Sequence, residues 1–181
     1  MALERPKYII IDTCIIQHAN NPGLADGIGY DLQEAYASGY TPAISHFTYF
    51  ELLDGAFPDI ELARTRVISG LRRFRFQERI IRLAARLACF YRNEGIADDR
   101  IKKLMKDRII GATCVLSPNS ILYTANANDF PQPFFEVFAK RPHIYRQGQQ
   151  SNDRVMYTYF IRPDYNAITV AYKQWNALKT F

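Results

Sequence analysis

Four carboxylates stand where the residue pattern changes character: Asp12, Glu51, Asp107 and Asp129. Asp12 ends the β-branched run Tyr8-Ile-Ile-Ile11, and Glu51 lies just past the apolar stretch Thr41–Ser45 on a helical segment. Asp107 opens the small-residue segment Ile109–Leu116, and Asp129 follows the short run Ile121–Thr124. Carboxylates gathered within a few ångströms repel and raise one another's pKa values. Divalent cations remove that penalty, and an all-oxygen ligand set suits hard Mg²⁺ or Mn²⁺. Ions so held acidify a water, orient it and stabilise charge on a phosphoryl group. Taken singly, each acid has a plainer reading. Asp12 or Asp107 can cap a helix, Glu51 can be a solvated helix residue, and Asp129 in Asn126-Ala-Asn-Asp-Phe130 can hold an Asx-turn. Only their occurrence together, in this order, points to one site.

The elements around these acids alternate between strand and helix. Tyr8–Ile11 reads as a buried parallel strand, followed by a short helix that Asn20-Asn21-Pro22-Gly23 stops. Asp31–Ser38 reads as a helix, Thr41–Ser45 as a strand, and Thr48–Leu53 and Ile60–Ile68 as helices. The clearest helix runs from about Gln77 to Asn93: Ile80, Leu83, Ala84, Leu87, Ala88 and Tyr91 form one apolar stripe. A further helix spans Asp98–Lys106, with acids early and lysines late as the dipole prefers. Ile121–Thr124 closes the series as a strand. The pattern predicts an α/β fold: a parallel sheet flanked by helices, with right-handed crossovers. In such sheets ligands bind beyond the carboxyl ends of the strands, which is where the acids fall. The tail differs. Gln147–Asp153 is polar and reads as mobile, and Arg154–Arg162 with Asn166–Gln174 alternate like the two strands of a β-hairpin around Pro163-Asp164-Tyr165.

At 181 residues and 48% hydrophobic, the chain can bury a real core. No apolar run reaches the roughly 20 residues of a membrane span, and the polar start is no signal peptide; a cytoplasmic protein is expected. Cys14, Cys89 and Cys114 are odd in number and set among apolar neighbours, so reduced, buried thiols are expected. The net charge is +5, but residues 64–108 hold 14 of the 23 Lys and Arg against five acids, a surplus of nine. A basic middle suits a polyanionic partner, although solvated helix faces would give the same count. Arg79, Arg82 and Arg86, on the polar side of the clearest helix, are the candidate RNA contacts.

The residues around the acids resemble the PIN-domain nucleases. Tyr8-Ile-Ile-Ile-Asp12-Thr13 is similar to that family's opening, and Ile44-Ser-His-Phe-Thr-Tyr-Phe-Glu51-Leu52 to its second motif. Asp107-Arg-Ile-Ile-Gly-Ala-Thr113 resembles the third, and Ile121-Leu-Tyr-Thr124-Ala-Asn126-Ala-Asn-Asp129-Phe130 the fourth. The likeness spans residues 7 to 131. It implies that Asp12, Glu51, Asp107 and Asp129 bind Mg²⁺ or Mn²⁺ and catalyse RNA hydrolysis, with Thr13 and Asn126 in support. It further implies kinship to VapC-type toxins, which an antitoxin neutralises and which often form dimers. Two departures stand out: Asn126 occupies a place where some members carry an acid, and the chain is longer than most such toxins. Residues 1–131 are thus expected to form a PIN-like nuclease domain, and 132–181 a C-terminal extension whose removal from Gln147 onward spares the chemistry.

Other chemistries fit less well. An aspartyl-phosphate hydrolase of the haloacid dehalogenase type needs an acid where Cys14 stands, and no glycine-rich phosphate loop exists. His18, His46 and His143 show no pairing with a nucleophile. The rival from another class is a catalytically weak PIN-like module that binds RNA or protein, against which four intact acids argue. In the tail, Tyr157, Tyr159, Phe160, Tyr165 and Tyr172 could stack bases, but packing is the favoured role for strand aromatics.

Overall fold

A computed structural model describes residues 6–54, 56, 58–146 and 152–177. The stretch Gln147–Asp153 therefore lies largely outside the described residues, as do Met1–Arg5 and Gly55. Lys7–Ile11 forms β1, whose Ile9, Ile10 and Ile11 are buried on both faces of the sheet, as a central parallel strand requires. Helix α1 (Thr13–Ala19) leads at once into α2 (Pro22–Ala37), then β2 (Tyr40–Ser45) and α3 (His46–Leu53). Next come α4 (Pro58–Ser69), β3 (Arg72–Phe74), α5 (Glu78–Asn93) and α6 (Asp98–Lys103). The remainder is α7 (Met105–Leu116), β4 (Ser120–Thr124), β5 (Phe135–Tyr145), β6 (Arg154–Pro163) and α8 (Tyr165–Ala177).

The strands form one six-stranded sheet in the order β3-β2-β1-β4-β6-β5. The first four run parallel, and β6 pairs antiparallel with both β4 and β5. This is the expected α/β architecture with an antiparallel flank. Side-chain alternation divides the core between the two sheet faces. Ile10, Leu122 and Ile161 face α5, α7 and α8, while Ile9, Ile11, Tyr123 and Phe160 face α1 and α2. At Gly111 of α7 the helix lies against Phe135; a Cβ there would come within 2.7 Å of its Cζ. Among the described residues no helix is long and apolar enough to cross a membrane.

Two expectations need correction. The hairpin exists, but its strands are β5 and β6, and the expected second strand Asn166–Gln174 lies within helix α8. Asp164 starts that helix, its Oδ1 accepting from the N–H groups of Asn166 and Ala167 at 2.9 Å. Ala167, Ile168, Ala171, Tyr172 and Trp175 then recur with helical spacing and pack on the core. Second, Pro22-Gly23 begins a helix as well as ending one: Pro22 takes the first position of α2 and Asn21 caps it through Gly23 N–H. Asp31 thus sits mid-helix. The expected C-terminal extension contributes β5, β6 and α8, and β6 lies between β4 and β5 in the common sheet.

Candidate functional site

Asp12 ends β1 and caps α1, so its carboxylate is aimed across the carboxyl ends of the strands. Oδ1 accepts the Thr13 N–H at 2.7 Å, and Oδ2 accepts from the Thr124 hydroxyl at 2.6 Å and the Cys14 thiol at 3.1 Å. β1 and β4 are neighbours, with Asp12 N–H donating to the Tyr123 carbonyl, which is why a residue of β4 reaches an acid of β1. Burial pushes the Asp12 carboxyl up, these hydrogen bonds hold it down, and Glu51 adds repulsion. Thr13 looks the other way and donates its hydroxyl to Glu51 Oε2 at 2.6 Å. Glu51, on α3, gives its other oxygen to the Lys106 ammonium at 2.9 Å.

Asp107 lies in the first turn of α7, beside Lys106. Burial pushes its carboxyl from the usual 3.8 up to about 7, and the charges of Asp129, Asp12 and Glu51 add to that rise. Asp129 sits on the 3-10 turn Ala127–Asp129, held by the Asn126 side-chain amide at 2.7 Å. It too is raised, by burial and by Asp12, against the opposing pull of Arg100 and Asn126. The four acids therefore occupy one electrostatic neighbourhood, and both supporting residues contact an acid directly.

The acids do not converge on a single point. Among the described residues no three Asp, Glu, His or Cys side chains are close enough together to grip one ion as they stand. Both oxygens of Asp12 and both of Glu51 have partners within the protein. The donor set itself, four carboxylates under mutual repulsion, is the kind that a hard divalent ion relieves. The protein's own cation, Lys106, already does this for Glu51.

Three participants escaped the sequence reading. Thr124 and Cys14 orient Asp12, and Lys106 neutralises Glu51. All three thiols were expected to be buried; Cys114 is, but Cys14 and Cys89 are half-buried. Burial together with Asp12 pushes Cys14 up to about 12, so it donates its proton rather than acting as a thiolate. The candidate RNA contacts fare differently. Arg82 pairs with Glu78, Arg79 binds Gln77, and Arg86 donates to Tyr172 Oη with its guanidinium over the rings of Tyr172 and Trp175. Arg86 thus clasps α8 to α5. Three of the five tail aromatics pack, Phe160 stacking on Tyr123 at 4.8 Å and Tyr159 and Tyr172 lying against the core, while Tyr157, under the Lys140 ammonium, and Tyr165 are exposed.

No family model and no curated protein matches the chain. Among solved structures it is similar to a chain in the crystal structure of VapBC2 from Rickettsia felis bound to a DNA fragment from their promoter. That match has 21% identity and a TM-score of 0.54, and covers 68% of this chain and 90% of that one. At this identity the likeness is one of fold alone: a mainly parallel sheet flanked by helices.

Proposed function

We propose that this chain is a metal-dependent endoribonuclease, the toxin of a toxin–antitoxin pair, in which Asp12, Glu51, Asp107 and Asp129 hold Mg²⁺ or Mn²⁺. One observation carries the reading: Asp12, Glu51, Asp107 and Asp129 stand in one neighbourhood, with Thr13 bridging Asp12 to Glu51, and burial and the charges of the other three acids raise the Asp107 pKa. Carboxylates that repel one another across a partly buried crevice cost stability, and a site for cations accounts for keeping them there. When bound, a divalent ion supplies an acidified water and neutralises charge on a phosphoryl oxygen. The residues of the chain do the positioning. Thr13, Cys14 and Thr124 fix the plane of Asp12 and Asn126 fixes Asp129, and Asp107 would have to release its proton to solvent to serve as a ligand. The fold shared with a VapBC2 chain supports the two-component setting, with an antitoxin as partner; a dimer as the working state and a cytoplasmic location belong to the same proposal.

A second reading is a weak or inactive PIN-like binding module, favoured by the Lys106 ammonium on Glu51 and the carboxylates' lack of convergence. Cleavage of a generic RNA under titration with Mn²⁺ and Mg²⁺ decides between them. The nuclease reading expects metal-dependent cleavage that Asp12→Asn and Asp107→Asn each abolish while the protein stays folded. Full activity in either variant at saturating metal sinks it.

A further inference from the structure

The crevice edge nearest Glu51 carries a surface with no role so far. β3 is the outer parallel strand, and its last residue, Phe74, pairs with Ser45 at the carboxyl end of β2. The chain then runs through Arg75 and Phe76 along the start of α3. There the Phe76 N–H donates to His46 Nδ1 at 3.4 Å, and the two rings lie 5.7 Å apart. Phe76 also meets Phe47 at 6.3 Å, Phe47 meets Phe50 at 6.0 Å, and His46 meets Tyr49 at 5.9 Å. Five rings thus form a continuous strip, with Phe50 56% and Phe76 45% exposed. Phe47 and Glu51 are one turn apart on α3, so the strip runs up to a carboxylate of the site.

Two grooves share His46 as a wall. One, of about 490 Å³, is lined by His46, Phe47, Tyr49, Phe50, Leu53 and Phe76. The other, of about 710 Å³, is lined chiefly by Arg72, Arg73, Arg75 and His46. Arg73 lies over the Tyr49 ring at 4.9 Å, while Arg72 and Arg75 have no ion-pair partner among the described residues. Buried or paired arginines need no further explanation; exposed, unpaired ones beside bare aromatic faces do. The complement of such a surface is a polyanion with flat apolar faces, which describes single-stranded RNA: bases stack on rings while phosphates meet guanidinium groups. A duplex hides its base faces and fits only the charge. A second copy of the chain fits worse, because a twofold contact would set Arg72, Arg73 and Arg75 against their own images.

We infer that the strip His46, Phe47, Phe50 and Phe76, with Arg72 and Arg75, is a stacking track that takes unpaired RNA and delivers it to the acidic site. The inference rests on the nuclease reading for its choice of RNA but is tested by binding alone. The probe is a labelled, unstructured RNA of about a dozen nucleotides, free or annealed to its complement, followed by fluorescence anisotropy with the full chain in EDTA. The single strand should bind at least about tenfold tighter than the duplex, and Phe50→Ala with Phe76→Ala should remove most of that preference. Arg72→Gln with Arg75→Gln should weaken binding of both forms and lower the salt slope by about 1.4. Both pairs are exposed, so circular dichroism should match the parent. Equal affinity for single strand and duplex, or variants that bind like the parent, overturns the track. So does sedimentation showing a dimer that the phenylalanine variant dissociates without losing RNA. Binding lost in the variants of a protein that never cleaves would uphold the track and refute the nuclease; cleavage abolished by Asp12→Asn with unaltered binding in the track variants would do the reverse.

Discussion

At the scale of single residues, the site is a balance of burial against hydrogen bonds, and Asp107 is where burial wins. Its folded pKa, about 7, lies above the usual 3.8, so between those values the folded protein holds a proton that the unfolded chain has lost. Metal-free stability must then fall as pH rises from about 4 through about 7, by on the order of a few kcal/mol. Asp12 and Asp129 are raised as well and push the same way. Thermal melting in EDTA should show this slope, and Asp107→Asn should flatten it, melting higher than the parent at about pH 8 and equal to it at about pH 4. A parent whose melting temperature is level across that range contradicts a buried, proton-holding Asp107. Lys106 makes a second test, since it occupies Glu51 Oε1. Lys106→Gln should tighten Mn²⁺ binding by about two- to fivefold, the worth of an exposed ion pair. Weaker binding in calorimetry would mean that Glu51 is not a ligand.

At the scale of elements, α2 is fastened to the hairpin by a polar core that no motif announced. Asp31 is 2% exposed and accepts from Tyr123 Oη at 2.6 Å and Thr158 Oγ1 at 3.0 Å, with His143 and Arg141 beside it. Asp31→Ala strands these partners and should cost roughly 3 kcal/mol, less than a fully buried pair because Arg141 reaches solvent; urea unfolding reads it, and a loss under about 0.5 kcal/mol would show the network to be idle. The strands before Asp12 and Asp129 were legible because β-branched runs ending in Asp or Thr signal buried parallel strands. Asp12 and Asp107 sit where a helix begins, whereas Glu51, expected at the start of a helix, lies near the end of α3. The flank was not legible. β5 carries Lys140, Arg141 and Pro142, which argue against a strand, yet it is the edge strand, where a missing N–H costs nothing. In α8, Thr169-Val170 imitate alternation while the apolar spacing is helical. Cys14 and Lys106 could not be read as site residues, since nothing in their spacing shows which oxygen they face.

At the scale of the whole molecule, one sheet joins the acids to the C-terminal flank. Cutting at Gln147 removes β6 and α8, and with them the buried Phe160, Ile161 and Ile168. Each contributes about 1.5–3 kcal/mol against a typical total of about 5–15 kcal/mol, so the truncated chain should show no cooperative melt, contrary to the expectation that the tail is dispensable. A truncation that melts cooperatively and still cleaves RNA would restore that modular picture. If Asp12, Glu51, Asp107 and Asp129 are metal ligands, the crevice between them must take up Mn²⁺. Crystals soaked in Mn²⁺ and measured for anomalous scattering should show a peak among these carboxylates at about 2.0–2.3 Å from oxygens of Asp12 and Asp107, with Glu51 turned from Lys106. A crevice without a peak, or Mn²⁺ bound only elsewhere, would contradict the ligand assignment.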